Sequence, residues 1–386
     1  MNNNSEKPQK NRNKRKVWII IGSIFLLLIL AIISIPKLLF TDYAGLPTTG
    51  PYGVKQVSAI LVDNSRVETF ETDGSNREVP IYFYYPDIMK EEGTSKETKE
   101  NTFPFVIFSH GAFGYYESNT STYMELASHG YVVASLDHPY HSFFTTDTEG
   151  KTITVNPEFL QEVMHVNEEG VTEEEVLKLS HSWLDIRVGD MNFVLDSVQE
   201  AATTAKMAPE LWHVADEAAK QELSAVLSMI NTEKIGLMGH SLGGATSVTV
   251  GRTRNDIDAV IDLDGTMLGE ELRYENGKLV FYEDAYPVPL LSVDNEEHHL
   301  DSSGANGLYV NCVVLENAVD SKYTYFVGSG HMNFTDLPLL SPPLASFLGV
   351  GEIDATECIT TMNAIVLEFF NDYLKDEGVV VIKESY

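Results

Sequence analysis

The chain has 386 residues, 43% of them hydrophobic and 10% aromatic, enough for one large core. A formal net charge of −31 repels nucleic acid and anionic headgroups, which excludes a nucleic-acid partner. Two cysteines, Cys312 and Cys358, exclude a disulfide framework and lack metal-site spacing.

In chain order, residues 1–16 form a basic tail carrying Lys7, Lys10, Arg12, Lys14, Arg15 and Lys16. Val17 to Ile35 then runs without a charge. About 20 apolar residues span a bilayer as a helix, and the basic cluster before the span predicts a cytoplasmic N-terminus. Residues 17–40 are therefore expected as an uncleaved signal anchor, with a catalytic domain outside the membrane. Residues 41–53 are turn-rich and read as a linker. Residues 54–386 are expected to form one α/β domain.

Val54 to Val62 and Arg66 to Thr72 read as a hairpin, with Glu78 to Tyr85 as a third strand. Lys90 to Thr102 reads as a solvated loop. Phe103 to Phe108 and Tyr131 to Leu136 are short buried strands, with a helix over Ser121 to Ser128 between them. Thr172 and Glu175 make a capping box before a long amphipathic helix. Pro209 to Ile230 is expected as a second helix, inserted over the sheet edge, with His181 and His213 as structural helix residues. Further strands are expected near Ala259–Leu263, Leu290–Val293 and Tyr323–Val327, and a final helix from Ala355 to Leu374. Strands alternating with helices after an N-terminal hairpin predict a mostly parallel, doubly wound sheet.

The most informative stretch is Gly239-His-Ser-Leu-Gly243-Gly244. It follows the apolar run Lys234–Met238 and precedes a helix-compatible segment. Strand, tight turn and helix at a G-x-S-x-G sequence predict a nucleophilic Ser241. A serine hydroxyl needs a base, an acid that orients the base, and donors for the oxyanion. The base candidate is His331, in Gly328-Ser-Gly-His-Met-Asn-Phe334, after the last strand. His298 and His299 sit in an acidic loop, read as solvated or as an incidental metal site. The acid candidates are Asp264, which ends its strand and is favoured, then Asp294, Glu297 and Asp301. Leu242 and Ala112 are the expected oxyanion donors. His138 and His141 follow a strand end and are expected near the pocket. Asn333-Phe-Thr335 also has the form of an N-glycosylation acceptor.

Several segments together resemble the platelet-activating-factor acetylhydrolase family of the plasma and intracellular type, and its bacterial relatives. They are Tyr84-Tyr-Pro86, Phe103–Gly111, Leu126–Ala134, Gly239–Gly244, Leu263-Asp-Gly265 and Gly328–Phe334. The resemblance implies an α/β-hydrolase fold and a serine esterase of short-acyl, including phospholipid, esters. It implies Ser241 as nucleophile, His331 as base, Asp264 as acid, and Ala112 and Leu242 as donors. Such chemistry needs no metal or organic cofactor. The expected partners are an ester substrate and, through the N-terminal helix, a membrane. An acyltransferase or lipase with the same triad, and an inactive binding module, are the rival readings.

Overall fold

The computed structural model describes residues 38–88, 103–166, 168–304 and 309–386. The expected anchor Val17–Ile35 and the charged loop at 90–102 lie outside the described residues. Among the described residues, no helix is long and apolar enough to cross a membrane.

Nine strands among the described residues form the central sheet. In chain order they are β1 (Gly53–Val67), β2 (Asn76–Asp87), β3 (Phe103–Ser109), β4 (Val132–Leu136), β7 (Trp212–His213), β8 (Ile230–His240), β9 (Ala259–Leu263), β12 (Leu290–Asn295) and β13 (Ser321–Phe326). The remaining strands form two small hairpins, β5 (Phe144–Thr146) with β6 (Thr152–Thr154), and β10 (Glu271–Glu275) with β11 (Lys278–Phe281). The central order is β13-β12-β9-β8-β3-β4-β2-β1-β7. From β4 to β13 every pairing is parallel, while β2, β1 and β7 add antiparallel strands at the other edge.

Parallel strands need crossovers, and the helices supply them. They are α1 (Thr120–Ser128), α2 (Pro157–His165), α3 (Glu173–Thr204), α4 (Glu217–Met229), α5 (Leu242–Thr253), α6 (Glu296–Gly304), α7 (Val310–Asn317), α8 (Leu337–Leu340), α9 (Pro342–Leu348) and α10 (Ala355–Lys375). Side chains of β3 alternate between two cores, as strand geometry requires. Phe105 and Ile107 join Val194, Val198, Val226 and Val248 from α3, α4 and α5. Val106 and Phe108 join Tyr123, Leu126, Met362 and Phe369 from α1 and α10. Two buried faces explain why β3 and β4 read as near-continuous apolar runs, and why even Asp262 within β9 is buried.

Three expectations need correction. The first hairpin is one continuous strand, β1, paired with β2 and turning at residues 68–75. Asp63-Asn-Ser, which reads as a turn, makes an irregularity in the strand. Asp63 accepts from Ser65 N at 2.9 Å and Ser65 Oγ at 2.6 Å, and the register shifts there. The expected helix from Pro209 to Ile230 begins only at Glu217, where Asp216 accepts from Ala219 N at 2.9 Å. Before it, Trp212 and His213 pair with Leu61 and Ile60, so His213 lies on the edge strand and not on a helix. The segment 41–53 is seated on α1. Thr49 N donates to Glu125 Oε2 at 2.9 Å, and Tyr52 N to Ser128 O at 3.1 Å.

Candidate active site

The turn from β8 into α5 puts Ser241 at φ 55° and ψ −125°, a strained conformation for a residue with a side chain. Its N–H donates to Leu263 O at 2.9 Å, so the neighbouring β9 holds the turn. Strand and helix meet too closely for side chains. A Cβ on Gly239 would lie 2.1 Å from Gly243 O, and one on Gly243 would lie 1.9 Å from Ser109 O. That crowding is the physical reason for the two glycines flanking the serine. Leu242 is the first residue of α5, and no side chain caps that helix. Its first-turn N–H groups are left for another acceptor.

Asp264 follows β9 directly and has φ 54°. It is buried and accepts four hydrogen bonds. Asn295 donates from N and from Nδ2, both at 2.7 Å, and His298 Nδ1 lies at 3.3 Å. The fourth is the shortest, His331 Nδ1 to Oδ2 at 2.6 Å. Burial by itself would raise the Asp264 pKa, but the two imidazoles hold it well below the usual carboxylate range.

The loop bearing His331 is pinned from inside. Asn333 Oδ1 accepts from Gly330 N at 2.8 Å and Gly351 N at 2.7 Å. Asn333 is fully buried, so the glycosylation-like sequence is a structural pin and not an accessible acceptor. His331 itself is 40% exposed and backs onto His240, with ring centroids 4.5 Å apart.

Ser241, Leu242, Ala112, Asp264 and His331 all line one cavity of about 390 Å³. Val163, Val166, Trp183 and Leu268 form its apolar wall, while Glu297, His298 and Asp301 make an acidic side. The structure thus brings together the serine, both expected oxyanion donors, the favoured acid and the base candidate. Asp294 does not follow its strand but lies inside β12, where burial pushes its pKa up to about 7. It accepts from Ser292 Oγ at 3.2 Å, and the imidazole of His331 is bound to Asp264 instead.

His138 and His141, expected at the pocket, are buried behind the Ala112 loop and do not line the cavity. His138 bridges Ser109 Oγ at 2.8 Å and Asp190 at 3.0 Å. His141 stacks on Phe159 at 3.8 Å. Their strand ends at the ligand face as expected, but the chain folds inward beneath the loop. His298 and His299, expected as solvated in an acidic loop, lie on α6 and are engaged: His299 Nδ1 meets Tyr323 OH at 2.8 Å, and His298 approaches Asp264. Spacing also passed over a residue that matters to the geometry. Arg187 lies on the buried face of α3. Its signal was a cation at helical spacing from Trp183 and Asp190, on a face otherwise mostly apolar.

Asp264, Asp294 and His298 each place one ligand-type atom within 4.8 Å of the others. The oxygens of Asp264 are already engaged by four donors, so this cluster serves as a hydrogen-bond network.

The family described as platelet-activating factor acetylhydrolase, isoform II, matches this chain over residues 86–380. A platelet-activating factor acetylhydrolase of Gallus gallus is 24% identical over 289 residues, covering 70% of this chain and 62% of that protein. The Bos taurus enzyme is 24% identical over 289 residues, covering 70% and 57%. The chain therefore spans less than two thirds of the length of these relatives. A solved structure of a ferulic acid esterase from Streptomyces cinnamoneus superposes with a TM-score of 0.58 at 20% identity, covering 86% of this chain and 93% of that one. At that identity the likeness supports the fold alone.

Proposed function

The chain belongs to the platelet-activating factor acetylhydrolase, isoform II, family, and on that premise we propose that it is a serine hydrolase of carboxylic esters. One observation carries the reading. Ser241, on its strained turn, lines the same cavity as His331, whose Nδ1 is held by Asp264 at 2.6 Å.

In this reading Nδ1 of His331 carries a proton toward Asp264, which leaves Nε2 free to accept the proton of Ser241 Oγ. The oxygen attacks the ester carbonyl as that proton leaves. The tetrahedral oxyanion is met by the N–H groups of Ala112 and Leu242 and by the N-terminal end of α5. His331 then protonates the departing alcohol. Water, deprotonated by His331, releases the acid from the acyl-serine. Ionised Asp264 stabilises the imidazolium in both halves.

A short acyl group fits the reading. The apolar wall of Val163, Val166, Trp183, Leu242 and Leu268 stands beside Ser241 in a cavity of limited volume. The names of the relatives point the same way, toward removal of an acetyl group from platelet-activating factor.

The test is hydrolysis of p-nitrophenyl esters, from acetyl to palmitoyl, by the full chain in detergent, with Ser241→Ala alongside. Hydrolysis of short chains that is lost in Ser241→Ala is the expected result. A maximum at long chains moves the substrate to lipase type. A folded wild type inert on every ester and unlabelled by a fluorophosphonate overturns the reading.

A further inference from the structure

The apolar face of α3 carries a guanidinium. Arg187 is fully buried, and burial pushes its pKa down to about 9. A buried charge is costly unless it is paired. Among the described residues, no carboxylate makes an ion pair with Arg187. Asp190, one turn along, is taken by Arg77 at 2.7 Å, Arg66 at 3.0 Å and His138 at 3.0 Å.

Arg187 instead gives its protons to the loop that follows β3. Nη1 donates to His110 O at 2.5 Å and Nη2 to Gly111 O at 3.3 Å, while Nε reaches His141 Nδ1 at 3.3 Å. Gly111 O also meets His110 Nδ1 at 2.6 Å. Burial holds the His110 pKa well below its ordinary value, so that ring is neutral and its Nδ1 must bear the proton to donate.

The carbonyl of Gly111 and the N–H of Ala112 belong to one planar peptide group. Fixing the oxygen fixes the direction of the N–H on the opposite side. Donors on the oxygen also polarise that N–H, because linked hydrogen bonds strengthen one another. Ala112 lines the cavity and Arg187 does not. The cation therefore sits behind the peptide, and the peptide faces the place where negative charge would develop.

We propose that Arg187 is a positioning residue, holding and polarising the Gly111–Ala112 peptide so that its N–H is aimed at the oxyanion before substrate arrives. The inference rests on the esterase reading above. Arg187 touches no reacting atom and acts only through that peptide.

The experiment uses the full chain with Arg187→Gln and Arg187→Lys. It measures kcat and KM on p-nitrophenyl acetate, and Ki for a short-chain trifluoromethyl ketone. The hemiketal that this ketone forms with a serine carries the same oxyanion as the tetrahedral intermediate. For Arg187→Gln, kcat falls on the order of 10²–10³-fold with KM little changed, as for loss of an oxyanion donor. Ki rises by the same factor, and Arg187→Lys recovers part of both. A folded Arg187→Gln with unchanged Ki overturns the proposal, whatever happens to kcat.

A wild-type measurement decides the matter if the variants do not fold. Labelling with 13C′-glycine and 15N-alanine selects the three Gly–Ala peptides of the chain. The Gly111 carbonyl should resonate downfield of the other two, and its Ala112 amide should shift most on ketone binding. An ordinary carbonyl shift and an unmoved amide overturn the proposal. Hydrolysis surviving in Ser241→Ala would sink the esterase reading instead, a separate outcome.

Discussion

His331 Nδ1 meets Asp264 Oδ2 at 2.6 Å across 67 residues of sequence. Asp264 hangs at the end of β9 and His331 on the loop after β13, two strands away in the sheet. The short contact joins two loops that share only the C-terminal ends of parallel strands. That is where an open α/β sheet gathers its ligand-facing residues.

This pairing predicts how the acidic candidates separate. Asp264→Asn should lower kcat by about 10³–10⁴-fold, since the amide cannot hold the required tautomer of His331. Asp294→Asn should lower it less than about tenfold, because Asp294 bonds Ser292 and is already pushed toward the neutral form. Steady-state kinetics on a short-chain ester compares them. Equal losses would refute the assignment.

His298 supplies one of four donors to Asp264 and also faces Asp294 at 3.9 Å. His298→Ala leaves the two Asn295 bonds and the His331 bond in place. One lost hydrogen bond to a charged group predicts a fall in kcat of about tenfold. KM for acetyl esters should hardly move. A loss as large as that of Asp264→Asn would make His298 part of the proton path, contrary to the scheme proposed here.

The elbow makes a packing prediction. The Cβ of Gly243→Ala would lie 1.9 Å from Ser109 O and 2.7 Å from His110 O, both main-chain atoms of the adjoining strand and loop. Neither can rotate away, so α5 must move off β3. Overpacking of this kind costs about 1–3 kcal/mol or more. Chemical denaturation should show that loss, and fluorophosphonate labelling of Ser241 should slow with it. Wild-type stability in Gly243→Ala would contradict the close approach of helix and strand.

Asp137 gives a pH-dependent prediction. Burial raises its pKa to about 7, against hydrogen bonds from Thr145 Oγ1 at 2.7 Å and Tyr116 N at 2.8 Å. In the unfolded chain an aspartate ionises near about 3.9. Between those values the folded protein holds a proton that the unfolded chain has released. This group's contribution to stability therefore falls as pH rises from about 4 to about 7, and below that window no penalty remains. Asp137→Asn removes the titration. It should stabilise the protein by roughly 1–4 kcal/mol at pH 8 and by little at pH 4. Thermal melts at the two pH values measure the difference, and a pH-independent gap would contradict it.

Local chemistry made part of this protein legible from its residues alone. The elbow was readable because G-x-S-x-G after an apolar run demands one backbone shape, set by contacts within a few residues. Buried strands such as β3 and β9 were readable because both faces meet helices. The helix of Glu173–Thr204 announced its start through Thr172, whose side chain accepts from Glu175 N at 3.3 Å. Chain order alone admitted four carboxylates for the acid. Its place at a strand end favoured Asp264, the resemblance to a family did so independently, and the fold places it against His331. Trp212 and His213 joined the sheet because β1 offered an unpaired edge, which no local propensity reveals. The bond of His298 to Asp264 and the role of Arg187 were illegible for the same reason. His298 matters because α6 brings it against a carboxylate from another strand. Arg187 matters because α3 drives its charge into the back of a loop some seventy residues earlier in the chain, with contacts to His110 and Gly111 at separations of 77 and 76. Short-range sterics and burial patterns are written into neighbouring residues. Partners that meet only when separate strands align are decided by the tertiary structure, because their energy depends on a distance that sequence separation does not set.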